Sequence, residues 1–337
     1  MGAAPAANSL KGKRMRLKTV LFGLLTTLAM AGPAAAEYPD RPIHIIAPFA
    51  PGGNIDVTSR IVGDKLREVL GVSVIVENKA GASGMIGSDA VARAAPDGYT
   101  LLVSANSMVA VPAIYGNAPY DWHTAFQPIS HIQAVPAAVV VTPSSPIKTL
   151  ADFIKIGRDT PGKLAIADSG VGTTNHICIE LLSEATGAKY TLVHYKGSGS
   201  AFADVIAGQV PSQLDQVNSA IGYIKGGKLR ALAVTSDKRL AELPDVPTVQ
   251  ESGIKELSDF TFSTYTGLFG PAKMPPEVLK KLHDAMVKVL ADPATIKRFA
   301  ELTAETKSST PEELAAMLDK EDKVVVPLIK KLNIKVE

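Results

Sequence analysis

The stretch IHIIAPFAPGGNIDVTSRIVGDKLREVL, residues 43–70, contains a strand, a turn and a helix in succession, and its reading decides the fold class. Ile43 to Pro48 is a short apolar run of strand character, followed by the turn Pro51-Gly52-Gly53. Beyond the turn the apolar positions change period: Ile55, Ile61, Val62, Leu66, Val69 and Leu70 share one helical face, with Arg60, Asp64, Lys65, Arg67 and Glu68 elsewhere. Asn54 is the expected N-cap. A strand period giving way to a helix period across a glycine turn is a β/α unit of a parallel sheet. The pattern then repeats. Val72 to Val76 predicts a strand, Ser83-Gly84 starts a helix to about Ala95, and Pro96-Asp97-Gly98 turns into the strand Thr100 to Ser104.

A second series begins with the apolar run Ala137 to Thr142. It continues through a strand at Lys163 to Ala167, a helix from about Thr173 to Thr186, a strand at Tyr190 to Tyr195, a helix around Ala201 to Ala207 and a strand at Leu229 to Thr235. Phe260 to Gly270 reads as the return path, and Pro275-Pro276 opens a helix from Glu277 to about Leu290. Two β/α series predict an α/β protein of two lobes, each a mainly parallel sheet flanked by helices, with a cleft between them. The expected division is 37–137 with 260–337 for lobe 1, and 138–259 for lobe 2.

Composition agrees with a globular protein: of 337 residues, 46% are hydrophobic, 20% charged and 5% aromatic. A formal net charge of +2 argues against a nucleic-acid partner, which would call for a basic face. The mean hydropathy of +0.15 prompts a search for membrane spans, and one apolar run, Val20 to Met30, stands near the N-terminus. Lys11, Lys13, Arg14, Arg16 and Lys18 precede it and Gly32-Pro33-Ala34-Ala35-Ala36 follows, which is the pattern of a signal peptide over residues 1–36. Met15 could serve as its start. Removing the five cations of this leader takes the formal charge from +2 to −3. The lone Cys178 allows no intrachain disulfide and reads as a buried small hydrophobe, and no lipid-anchoring cysteine stands at the cleavage site. The expectation is a freely diffusing periplasmic monomer.

Enzyme and cofactor motifs are scarce. There is no G-x-S-x-G elbow, H-E-x-x-H pair or C-x-x-C, so no catalytic residue, metal or cofactor is assigned. Gly222 to Lys228 has phosphate-loop spacing, but Leu229 stands where a Ser or Thr should ligate magnesium. What remains is a set of Gly- and Ser-rich turns between strand and helix: Pro51-Gly52-Gly53-Asn54, Gly81-Ala82-Ser83-Gly84 and Ser169-Gly170-Val171-Gly172-Thr173-Thr174. In a parallel sheet such turns gather at the carboxyl edge, where free N–H groups and helix dipoles favour an anion. Any one of them reads equally well as a tight turn. Three of them, divided between two lobes, point to a carboxylate or phosphate in the cleft.

These segments resemble the extracytoplasmic solute receptors of the tripartite tricarboxylate transporter system, also called the Bordetella uptake gene family. The resemblance rests on Tyr38-Pro39-Asp40-Arg41-Pro42, Ile45 to Gly53 with Asp56, Glu77 to Gly84, and Pro96 to Leu102. In the second lobe it rests on Ser169 to Gly172 with His176, Tyr195 to Gly199, and Leu243 to Thr248. It implies a type II periplasmic-binding-protein fold that closes on a small dicarboxylate, tricarboxylate or aromatic carboxylate and delivers it to membrane permease subunits. The implied ligand contacts are Phe49, Gly53, Asn54 and Asp56 in the first loop, with Ala82, Ser83 and Ser104 from the same lobe. Ser169, Gly172, Thr173, Thr174 and His176 are implied from the other lobe. Gln213-Leu214-Asp215-Gln216 keeps only the Asp of a Phe-Asp-Asn-like family run, and Asp215 could orient a water or accept from a ligand amine or hydroxyl. No basic side chain lies in the three turns, so recognition should use amides and hydroxyls, with Lys196 the nearest exception. Two other readings stay open: a receptor that signals to a membrane kinase, and a secreted hydrolase or isomerase.

Overall fold

Residues 1–3 and 37–335 are described in the computed structural model, in which the chain forms two units, Met1–Asp40 and Arg41–Glu337. The described residues of the first unit contain no helix or strand, and the leader expected at 1–36 lies, beyond its first three residues, outside the described residues. Everything below concerns the second unit. Its strands are β1 (Ile43–Ala47), β2 (Val74–Asn78), β3 (Thr100–Ala105), β4 (Phe126–Val141), β5 (Ala165–Asp168), β6 (Thr191–His194), β7 (Ser212–Gln216), β8 (Arg230–Val234), β9 (Ser263–Pro271) and β10 (Glu305–Thr306).

The strand order is β2-β1-β3-β9-β4-β7-β5-β6, with β8 and β10 also pairing β4. β1 pairs in parallel with β2 and β3, and β5 with β6 and β7, whereas β4 and β9 run antiparallel to their neighbours. β4 changes partner along its length. Phe126 to Pro136 pair with β9, and Ala137 to Val141 pair with β7 and β8. The result is a mixed α/β fold, with a β1 side and a β5 side on either hand of β4.

The helix Asn54–Leu70 begins where its apolar period begins, and it buries Ile55, Val62 and Leu66. Gly63 lets it lie close to the sheet, since a Cβ there would stand 3.2 Å from Val76 Cγ2. Gly53, not Asn54, is its N-cap, because Asn54 already has helical backbone and sends its side chain elsewhere. On the β5 side, Val139 and Val141 join one hydrophobic cluster with Phe153 and Leu182, while Ala138 and Val140 face another with Phe202 and Val217. Both faces of this strand are therefore covered, which is why the sequence shows an unbroken apolar run there instead of an alternation. Cys178 is fully buried in the first of these clusters, and burial pushes its thiol pKa upward. No described helix is long and apolar enough to cross a membrane.

Candidate functional site

Both sides of the sheet contribute to one small cavity. From the β1 side it is lined by Phe49, Gly53, Asn54, Ile55, Ala105 and Ser107, from the β5 side by Ser169, Thr173, Thr174, Gly197, Ser198 and Gln216, with Thr264 of β9 between them. None of these side chains is charged. The cavity volume is about 30 Å³, room for about two water molecules.

Five helices begin at this cavity: Asn54–Leu70, Ser107–Tyr115, Thr174–Thr186, Ser198–Ile206 and Val217–Lys225. Their N-caps are Gly53, Asn106, Thr173, Gly197 and Gln216, and none makes a side-chain capping bond. The first-turn N–H groups of a helix have no intrahelical partner and carry the positive end of its dipole. Such termini direct the positive ends of their dipoles toward the cavity without a cationic side chain.

The turns are held from behind by side chains that do not line the cavity. Asp56 Oδ2 accepts from the Gly52 N–H at 2.9 Å, and its Oδ1 accepts from Asn78 Nδ2 at 2.9 Å and pairs with Arg60 at 2.8 Å. Burial alone would raise the pKa of this carboxyl, but Arg60, the Gly52 N–H and Asn78 outweigh it and hold it below the usual range. On the β5 side, the Gly172 N–H donates to His176 Nδ1 at 2.8 Å, and Asp168 accepts from the Gly170 N–H at 2.7 Å and pairs with His194 at 2.8 Å. Ser83 sits in a left-handed run, with φ of 47° at Ala82 and 52° at Ser83, and its hydroxyl meets Tyr115 Oη at 3.2 Å.

A buried amide network forms the floor. Asn54 Oδ1 accepts from Gln133 Nε2 at 2.8 Å, from Asn218 Nδ2 at 2.6 Å and from Thr58 Oγ1 at 3.4 Å, so it ties the β1 side to the helix Val217–Lys225. Gln216 Nε2 donates to Thr174 Oγ1 and Thr264 Oγ1, each at 2.9 Å, and to Asn175 Oδ1. Behind Ser198 and Gln216 lies Asp215, fully buried, which accepts from Gln213 Nε2 at 2.7 Å, Ser219 Oγ at 2.7 Å and the Gln216 N–H at 2.8 Å. Burial raises its carboxyl to about 6, against hydrogen bonds from Ser198, Ser219, Gln213 and Gln216 that pull it down.

Of the residues expected from sequence, Phe49, Gly53, Asn54, Ser169, Thr173 and Thr174 line the cavity together. Asp56, Ala82, Ser83, Gly172 and Asp215 are not part of the lining, His176 lines a separate pocket with Val171, Glu180 and His194, and Ser104 lies in β3 opposite Gly267, one residue before the lining Ala105. Ile55, Ala105, Ser107, Gly197, Ser198, Gln216 and Thr264 complete the lining without having been singled out as contacts. Gly197-Ser198 carries the same signal as the three turns that were, a Gly–Ser step between a strand and a helix. Lys196 is exposed and not part of the lining, and its carbonyl accepts from the Ala50 N–H at 3.3 Å. Gly222 to Lys228 closes a helix instead of opening one, which removes the phosphate-loop reading. Among the described residues no group of His, Cys, Asp and Glu is arranged to hold a metal ion.

Residues 58–334 match the family model described as the tripartite tricarboxylate transporter family receptor. The structure of the periplasmic binding protein BugD is similar with a TM-score of 0.84 at 34% identity, over 89% of this chain and 100% of that one. An R. palustris protein solved with adipate gives a TM-score of 0.84 at 29% identity, over 89% and 99% of the two chains. MatC from Rhodopseudomonas palustris, solved with bound malate, gives 0.81 at 28% identity, over 87% and 100%.

Proposed function

This chain belongs to the tripartite tricarboxylate transporter receptor family of periplasmic solute-binding proteins, and from that premise we propose that it captures a small dicarboxylate between the β1 and β5 sides. The observation that carries this reading is the convergence of five uncapped helix N-termini on a cavity without a charged side chain. Each terminus favours an anion by about 0.3–1 kcal/mol, and termini from both sides suit a solute with a carboxylate at each end. Malate and adipate in the two R. palustris proteins are of that kind.

The two sides touch at the edge of this cavity, at Gly52 against Gly199 and Gly53 against Ser198, so binding requires them to separate and close again. The hinge belongs where β4 changes partner at Pro136–Ala137, with 37–137 and 260–337 moving against 138–259. Asp56, His176 and Asp168 act as positioning residues for the turns, while Phe49 and Ile55 cover the carbon chain. In the same reading the chain is exported by the leader at 1–36, works as a monomer and hands its solute to permease subunits in the membrane. Calorimetric titration with mono-, di- and tricarboxylates tests the binding step. A dicarboxylate should bind and neutral sugars should not; binding of a sugar but of no carboxylate overturns the proposal.

A further inference from the structure

At one stretch of the cavity rim the two sides meet backbone to backbone. Gly197 and Gly199 of the β5 side lie against Ala50, Pro51 and Gly52 of the β1 side. A Cβ placed on Gly197 would stand 2.9 Å from Ala50 N, and one on Gly199 would stand 2.3 Å from the Pro51 carbonyl oxygen, where real Cβ contacts essentially never fall below 3.0 Å. The only hydrogen-bond donor used in this contact, among the bonds described, is the Ala50 N–H, to Lys196 O at 3.3 Å. A second meeting point lies beyond it, where a Cβ on Gly170 would come within 2.9 Å of Ser83 Oγ.

Resting on the dicarboxylate-receptor reading, we propose that Gly199 is the residue that determines solute length. Its missing side chain lets the N-terminus of Ser198–Ile206 come up against Pro51. That backbone contact is a hard stop, and it fixes the span that donors on the two sides can grip at once. The stop sets the shortest dicarboxylate that both sides can hold, because with the backbones already touching, a shorter chain leaves one set of N–H groups out of reach. A flexible side chain at this contact could yield by a rotamer change, but a carbonyl oxygen facing a Cβ cannot. The sides must then stay apart by roughly 1 Å at this contact, enough to lengthen a hydrogen bond across the cleft beside it beyond its useful range.

Gly199 also allows a clean test. Gly170 and Gly197 have positive φ, so a side chain there strains the backbone for reasons unrelated to closure, whereas Gly199 does not. It is the second residue of its helix, where alanine is the better helix former. Gly199→Ala should therefore fold with an unchanged or higher Tm.

Parent and Gly199→Ala are titrated with the linear dicarboxylates from malonate to pimelate. The expected result is a loss of about tenfold or more for the shortest dicarboxylate the parent binds, the loss that one hydrogen bond to a charged group carries, with less than about threefold for chains two carbons longer. The preference thus moves toward longer solutes. An unchanged length profile overturns the proposal while leaving the receptor reading intact. If the parent binds no dicarboxylate, the receptor reading fails, and the stop is judged without ligand. Nitroxide labels on Arg67→Cys and Lys228→Cys, both exposed sites, report the separation of the two sides, and the buried Cys178 does not compete for label. The shortest separation seen in the parent should be missing from Gly199→Ala; identical distributions overturn the stop.

Discussion

Thr149, Asp292 and Thr310 each turn a side-chain oxygen onto the backbone of the helix that follows, Thr149 and Thr310 within complete capping boxes. Gly53, Asn106, Thr173, Gly197 and Gln216 do not, although Asn and Thr are good capping residues. The first group starts helices away from the cavity, and the second starts the five that surround it. Of the six described α-helices that begin elsewhere, four are capped by a side chain and those after Gly84 and Pro275 are not, so the absence of a cap is not by itself a mark of the site. What distinguishes the cavity is that five of five are left open at one place. A cap contributes about 1 kcal/mol to a helix. Five adjacent termini go without one, and Thr173 shows how: its hydroxyl is directed to the Gly170 carbonyl at 2.7 Å, bracing the turn instead of capping the helix.

The largest effect should come from turning one kind of terminus into the other. Gly53 has extended backbone, φ −90° and ψ 174°, which aspartate accepts, and a new Cβ would stand 3.2 Å from the Ser198 hydroxyl, with Ser198 Cβ and N at ordinary contact distances of 3.4 and 3.6 Å. Gly53→Asp supplies the missing cap and places a negative charge in the cavity. Like charges about 5 Å apart repel by about 3 kcal/mol in a partly solvated site, so dicarboxylate affinity should fall by about two to three orders of magnitude. A calorimetric loss of less than about threefold would mean that the anion does not sit at these termini.

Asp215 is next. Its folded-state pKa, about 6, lies above the ordinary 3.8 because the group is buried. The folded protein therefore holds that proton more tightly than the unfolded chain. Stability from this group is complete below about pH 4 and is lost as the pH rises through about 6, by up to ~3 kcal/mol. Asp215→Asn removes the charge, and Gln213 Oε1, buried without a partner, can accept from the new amide after rotation. In urea unfolding the variant should exceed the parent at pH 7, and the gap should close near pH 4. Equal stability at both pH values would break the account.

The smallest effect belongs to the outer helices. Thr310→Ala removes a capping box and should lower unfolding free energy by about 1 kcal/mol, with dicarboxylate affinity unchanged in the same calorimetric assay. A drop in affinity would erase the distinction between the two kinds of terminus.

The elements that were legible from sequence are those with a period to read. The helix Asn54–Leu70 has the bounds its apolar face predicts, and β1, β3 and β8 agree within a residue or two. The polar strand β7, Ser-Gln-Leu-Asp-Gln, gives no such signal: all five residues are buried, and Ser212, Gln213, Asp215 and Gln216 make their hydrogen bonds within the protein instead of to solvent. The first half of β4 is hidden for another reason, since its register against β9 shifts twice and breaks the alternation. Five of the thirteen lining residues, Gly53, Asn54, Ser169, Thr173 and Thr174, were legible as parts of glycine turns. Gln216 and Thr264 were not, because their roles come from the meeting of β7 and β9 beside the helix Thr174–Thr186, which no local pattern encodes.

Uncapped first turns are also where a helix frays most readily, since their early residues are fixed by few bonds. Five such turns surround one cavity, and fraying at any of them would draw on donors that a solute there would use. Local melting and solute capture then compete for the same N–H groups, and an occupied site would damp the fluctuations of five helices at once.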